Sequence, residues 1–173
     1  MAVVGLAGNA GVAQAAVTIS TKATTGITCT AGVCTATAKV AILNVTDLTN
    51  LLAAGNVKVS PGKTAMDIVV AAPLSWVSTK RLTLNAYRSI TFSQPTTLTG
   101  RGGLTLTTGN GGTLSFTGKG DVNFWDVRSS LIINGNTYTL VNDIATLATD
   151  IAANTSGHFA LAKSYNAQPD GTY

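Results

Sequence analysis

Few side chains in this sequence can do chemistry. Its acids are all aspartates, at positions 47, 67, 121, 126, 143, 150 and 170, and it has no glutamate. Cleaving a polysaccharide by hydrolysis needs two carboxyl groups facing each other across one cleft. Only Asp121 and Asp126 stand near each other within one repeating stretch, and Phe124 and Trp125 between them are of the type that stacks on sugar rings. The same residues have a structural reading, with Phe124 in the core, Trp125 a partly buried anchor and the two aspartates at turns. The single histidine, His158, has no Ser, Cys or acid partner at motif spacing and reads as a surface strand residue.

Cys29 and Cys34 enclose Thr-Ala-Gly-Val. Two cysteines this close, with a glycine between them, can close a hairpin-sized loop in an oxidising compartment, so a structural disulfide is expected. A zinc site needs further Cys or His ligands, and a redox pair is expected as C-x-x-C. Ser60-Pro-Gly-Lys-Thr64 ends like a phosphate loop, but Val57 stands where the leading glycine belongs and a strand, not a helix, is predicted after it. It reads as a turn. No cofactor or metal is expected.

The elements that position these groups are strands. From Arg81 to Phe92, Leu82, Leu84, Ala86, Ile90 and Phe92 alternate with Thr83, Asn85, Tyr87, Ser89 and Thr91, the period of a half-buried strand. The pattern returns around Leu98, Leu104, Leu114, Phe116, Val122 and Leu131, with Phe116 assigned inward beside Leu84. Clusters such as Gly100-Arg101-Gly102-Gly103, Gly109-Asn110-Gly111-Gly112 and Asn134-Gly135-Asn136 separate the runs and turn the chain. Asp67 to Trp76 reads as a buried strand ending at Pro73. Leu82-Thr83-Leu84 recurs as Leu104-Thr105-Leu106, and Ser89-Ile90-Thr91-Phe92 as Thr113-Leu114-Ser115-Phe116. That period of about twenty residues belongs to repeat architectures. The expectation is therefore an all-β chain, a parallel β-helix (solenoid) with short capping helices; the alternative is an antiparallel β-sandwich.

Four segments follow. Residues 1–15 resemble the tail of a signal peptide, with Ala13-Gln14-Ala15 as cleavage signal but no basic n-region. Residues 16–56 form an N-terminal cap with the Cys pair and a helix over Val45 to Gly55, capped by Asp47 and ended by Gly55. Residues 57–141 hold the strand repeats. Residues 142–173 add a helix capped at Asn142-Asp143, then a strand from Phe159 to Tyr165, and lead toward a region of a larger parent chain. Asn44-Val45-Thr46 and Asn154-Thr155-Ser156 match the N-glycosylation sequon.

Hydrophobic residues make up 45% and charged residues only 10%, so solubility rests on Thr, Ser, Asn and Gly. This composition suits an extracellular protein or a part of a larger assembly. The net charge of +4 reflects few acids, and the basic residues are dispersed with no aromatic-lined stripe, which argues against nucleic-acid binding. No run is long enough for a transmembrane helix.

Five stretches carry a resemblance: Leu43-Asn-Val-Thr-Asp-Leu-Thr-Asn-Leu-Leu-Ala-Ala-Gly-Asn-Val-Lys-Val59, Asp67-Ile-Val-Val-Ala-Ala-Pro-Leu-Ser-Trp76, Leu82-Thr-Leu-Asn-Ala-Tyr-Arg-Ser-Ile90, Tyr138-Thr-Leu-Val-Asn-Asp-Ile-Ala-Thr-Leu147 and His158-Phe-Ala-Leu-Ala162. In these the chain resembles the filamentous haemagglutinin-like surface adhesins of Gram-negative bacteria. The Asn-Pro-Asn motifs of that family's secretion domain are absent, so its export route does not carry over. The resemblance implies a secreted or surface-displayed adhesive protein, non-catalytic, whose partners are glycans or a host or neighbouring cell surface. Arg101, Asn110 and Trp125, in or beside the glycine-rich turns, are the expected ligand-facing residues. The rival function is a polysaccharide lyase or hydrolase using Asp121 and Asp126. A flat ice-binding array would need Thr-x-Thr on every repeat, and Asn85, Tyr87 and Ser115 interrupt it.

Overall fold

A computed structural model describes residues 15–168. The signal-peptide tail and the closing Asp170-to-Tyr173 turn fall almost entirely outside that range. In chain order the elements are β1 (Ala16–Ser20), β2 (Ile27–Thr30), β3 (Val33–Ala36), β4 (Val40–Asn44), α1 (Val45–Ala54), β5 (Val57–Ser60), α2 (Gly62–Ala65), β6 (Asp67–Val70), β7 (Leu74–Trp76), β8 (Arg81–Asn85), β9 (Ile90–Phe92), β10 (Thr96–Leu98), β11 (Gly103–Thr107), β12 (Leu114–Phe116), β13 (Val122–Phe124), β14 (Ser130–Ile133), β15 (Asn136–Val141), α3 (Ile144–Ala153) and β16 (Phe159–Leu161).

The strands form three sheets. A five-stranded sheet runs β12-β9-β6-β1-β4, a three-stranded sheet β13-β10-β7, and an eight-stranded sheet β16-β15-β14-β11-β8-β5-β3-β2. Consecutive strands β8, β9 and β10 lie one in each sheet, and β11, β12 and β13 repeat that assignment. The recurring tripeptides are true neighbours: Leu82 and Leu84 pair in parallel with Leu104 and Leu106, and Ile90 and Phe92 with Leu114 and Phe116. Hydroxyls ladder between the same strands, Thr91 to Ser115 at 3.0 Å across 24 positions of sequence.

Three features correct the expected all-β parallel β-helix. The chain is mixed, with α1 and α3 of ten residues each among the strands. The sheets are separate and do not close into a helix, and the largest is not purely parallel, since β2 pairs with β3 and β14 with β15 antiparallel. Strand order is also not sequential: β1 lies between β4 and β6, so β4 falls outside the strand that precedes it. The physical reason lies in the turns and caps. Ala31 and Gly32 at φ 49° and 78°, and Asn134 and Gly135 at φ 49° and 84°, reverse the chain in two-residue hairpins, and hairpins make antiparallel pairs. The sandwich alternative is compatible in part only, because most ladders are parallel.

Local boundaries shift as well. The alternating run from Arg81 to Phe92 is two strands in different sheets, and Asp67 to Trp76 is likewise split at Ala71 to Pro73. The cap of α1 is Asn44, whose side-chain oxygen accepts from the Thr46 and Asp47 amides while its NH2 donates to the Thr21 and Lys22 carbonyls. Asp47 instead accepts from the Thr24 hydroxyl. Gly55 ends the helix in extended backbone, not in a left-handed cap. Asp143 caps α3 as expected, and β16 stops at Leu161. Ser60 to Thr64 is a bend containing α2 and leading into β6, with no phosphate-loop geometry.

The core lies between the sheets. Val17, Ile19, Leu43, Val59, Ile68, Val70, Leu82, Leu84, Ile90, Phe92, Leu98 and Leu104 are fully enclosed, and α1 adds Leu48 and Leu52. Phe116, assigned inward, is 51% exposed: it stacks on Phe92 with ring centroids 5.4 Å apart, but among the described residues β12 is the edge strand of its sheet. The Cys29 and Cys34 sulfurs are bonded across the β2–β3 hairpin, where the two residues face each other.

Candidate functional site

The two most exposed of the large apolar side chains, Val77 and Trp125, sit at the ends of strands of the three-stranded sheet. Trp76, Leu98 and Phe124 align in register and point into the core, and the residues that follow these strands, Val77, Thr99 and Trp125, are exposed at Val77 and Trp125 and partly exposed at Thr99. The row is held by the Thr99 amide donating to the Trp76 carbonyl at 3.1 Å and the Trp125 amide to the Leu98 carbonyl at 2.9 Å. Val77 is 75% exposed and Trp125 69%. Trp125 is thus not a partly buried anchor but a free indole face, whereas Phe124 is core as expected.

Gly100 permits the close stacking of this edge. A Cβ at Gly100 would lie 1.7 Å from the Val77 carbonyl oxygen, so no other residue fits there without moving the backbone. Beside the row, a groove of about 310 Å³ runs between α1 and the sheet, lined by Thr49, Ala53, Ser75, Trp76, Val77 and Thr99. Ser78 ties the two walls by donating to the Leu52 carbonyl at 2.7 Å.

A charged pair follows Trp125 in the chain. Asp126 accepts at Oδ1 from the Arg128 amide and Nε, each at 2.9 Å, and at Oδ2 from the second guanidinium nitrogen at 2.7 Å. Arg128, with a smaller attraction from Arg101, lowers the Asp126 carboxyl to about 2. Trp125 and the Asp126–Arg128 pair that follows it, with Arg101 acting on Asp126, make up the aromatic and charged patch of this edge. An indole face with ionic hydrogen-bonding groups at its border suits a sugar ring, which offers apolar C–H on one side and hydroxyls around its edge.

The sequence-derived catalytic pair does not share this chemistry. Asp126 is committed to Arg128 and stays ionised, so it has no proton to give a leaving group at neutral pH. Asp121 precedes β13; its backbone carbonyl accepts from the Thr96 amide, and its Oδ1 is enclosed without a protein partner, as is the Thr96 hydroxyl. His158 lies just before β16, edge-on to Tyr138 with centroids 5.3 Å apart. Asn110 is away from the patch, at φ 50° in an exposed turn lining a shallow groove with Tyr87, Asn85 and Ser60. Val77 was missed from sequence; the signal was its phase, one position after inward-facing Trp76. Among the described residues no group of three or more His, Cys, Asp or Glu is placed to hold a metal.

No protein-family model matches the chain, and no curated protein or solved structure is significantly similar to it.

Proposed function

We propose that the chain is a secreted or surface-displayed adhesive protein, similar to the filamentous haemagglutinin-like adhesins, that binds glycans without cleaving them. The observation that carries this reading is the exposure of Val77 and Trp125 at the edge of the three-stranded sheet, with the Asp126–Arg128 pair next in the chain and Arg101 acting on it. The Cys29–Cys34 bond supports an oxidising compartment. Among the described residues no helix is long and apolar enough to cross a membrane. The ligands are glycans of a host or neighbouring cell, and the patch recognises them by stacking and hydrogen bonding.

The test is to pass the purified chain over immobilised plant, microbial and animal glycans while recording both retention and new sugar ends. Retention without cleavage, lost in Trp125→Ala, is the expected result. Cleavage abolished by Asp121→Asn or Asp126→Asn would replace the adhesive reading with a polysaccharide lyase or hydrolase.

A further inference from the structure

Arg81, Arg88 and Arg128 are each fixed by side-chain hydrogen bonds, but not by the same kind of partner. Arg88 and Arg128 close on the carboxylates of Asp67 and Asp126. Arg81 is held by hydroxyls, donating to Thr105 Oγ1 and Ser130 Oγ at 2.8 Å each. Hydroxyls fix the position of a guanidinium without neutralising it, and its remaining N–H groups are left to donate outward. The result is an ordered cation with no acid paired to it among the described residues.

The backbone is shaped to this arrangement. Gly103 is the register partner of Arg81, and a Cβ on it would lie 2.8 Å from the guanidinium carbon. The guanidinium therefore lies flat over a glycine, reaching across β11 to β14.

The surroundings share its sign. Arg81, Thr83 and Asn85 point outward from β8, with Lys58 beside Thr83 on β5 and with Thr105 and Thr107 on β11. None of the strands of the eight-stranded sheet contains Asp or Glu. Its outer face is a field mainly of hydroxyls and amides, interrupted by Val33 beside Lys58 and Ile132 beside Thr105, with strands about 4.8 Å apart, carrying Arg81 and Lys58 and no acid on its strands.

We propose that this face binds an extended acidic polysaccharide carrying uronate carboxylates, with Arg81 as the residue that holds the anion. The proposal rests on the adhesive reading and names its ligand class. A guanidinium matches a planar carboxylate in shape and donor spacing, and the Thr and Asn side chains around it can exchange hydrogen bonds with sugar hydroxyls. Nucleic acid fits worse: two cations are few for a polyphosphate, and the outward positions of β5, β8 and β11 hold no aromatic side chain for base stacking.

The experiment measures retention of the full chain on immobilised polygalacturonate, dextran sulfate, neutral dextran and single-stranded DNA at low and high salt. Polygalacturonate should retain it best, in a salt-sensitive way. Arg81→Gln should weaken retention about tenfold, Lys58→Gln less, and Lys119→Gln, an equal charge change elsewhere, hardly at all. Gly103→Ala tests the same site without touching Arg81, by displacing the guanidinium, and should also weaken retention. Unfolding curves identify any variant that acts through the fold, and Lys58→Gln then decides alone. Equal effects of Lys58→Gln and Lys119→Gln, or stronger retention on dextran sulfate or DNA, would overturn the proposal. Binding only to neutral glycans, lost in Trp125→Ala but not in Arg81→Gln, would overturn it while leaving the adhesive reading intact; no retention on any glycan would sink both.

Discussion

The Arg88 guanidinium closes on the Asp67 carboxylate through two of its nitrogens, Nε to Oδ1 at 2.9 Å, and the same Oδ1 accepts the Ser89 amide at 2.9 Å. Asp67 opens β6 and is 4% exposed, so the pair fixes the turn after β8 to the centre of the five-stranded sheet. Arg88→Ala removes the guanidinium from a buried carboxylate that still accepts the Ser89 amide, and should lower the thermal midpoint by roughly 5 °C or more. Asp67→Asn combined with Arg88→Ala should be milder than Arg88→Ala alone, because the buried negative charge that the guanidinium had balanced is gone. A thermal double-mutant cycle measures the difference, and additive losses would mean the pair does not act as a unit.

Leu84 and Phe116 separate two kinds of apolar position. Leu84 is fully enclosed between β5 and β11, so Leu84→Ala should cost about 3 kcal/mol and Leu84→Asp should prevent folding. Phe116 is half-exposed, and Phe116→Asp should fold, losing only the stacking on Phe92. Denaturant unfolding of the three variants checks the ordering; similar losses for both Asp variants would refute the edge position of β12.

What the sequence shows about this fold follows from the reach of each signal. Alternation reports which way a side chain points, and it marked Leu82, Leu84, Ile90 and Phe92 as inward. It does not report a bend that keeps the phase, which is why Arg81 to Phe92 reads as one strand although Ala86 to Ser89 turns the chain between two sheets. Self-similarity reports ladder partners, and Leu82 does lie beside Leu104. It cannot report that β1 inserts between β4 and β6, because that choice depends on non-local pairing. At the site, Arg101 acts on Asp126, the residue that follows Trp125. The role of Arg81 was hidden because its partners, Thr105 and Ser130, are 24 and 49 positions away.

Asn44 organises the start of α1. It accepts the Thr46 amide at 2.8 Å and donates to the Thr21 and Lys22 carbonyls, joining the helix to the loop after β1. Asn44→Ala should cost about 1–2 kcal/mol, whereas Asp47→Ala should cost less, since Asp47 is not the cap. The same bonds commit the amide nitrogen that the Asn44 sequon would present for glycosylation, so a glycosylating host should modify Asn154 in preference; mass spectrometry of the two tryptic peptides reads this directly.

The Cys29–Cys34 bond closes a short loop, with a sequence separation of 5. Loop-closure entropy for so few residues gives about 2 kcal/mol. The Cys29→Ser/Cys34→Ser variant should therefore stay folded with a lowered midpoint, and added reductant should lower the parent's midpoint while leaving the variant's unchanged. A midpoint insensitive to reductant in the parent would show that the hairpin is held by its ladder alone.

Asp126 offers a pH test of the patch itself. Its carboxyl lies at about 2, below the ordinary 3.8, chiefly because Arg128 donates to it. A group depressed on folding contributes stability that is present above the unfolded value, near 3.8, and is lost as the pH falls through about 2. Asp126 is exposed enough for water to screen that contribution, so the sharper readout is its own titration. The Asp126 carboxyl carbon, followed by NMR, should change shift near pH 2 in the parent and at higher pH in Arg128→Gln, where only the residue-128 amide and Arg101 still favour the carboxylate. Glycan retention at the Trp125 patch should accordingly be level from neutral pH down to about 4, because the pair stays ionised throughout. A midpoint near 3.8 in both proteins would mean that Arg128 does not hold Asp126 in solution, and the border of the indole would then have no fixed polar groups.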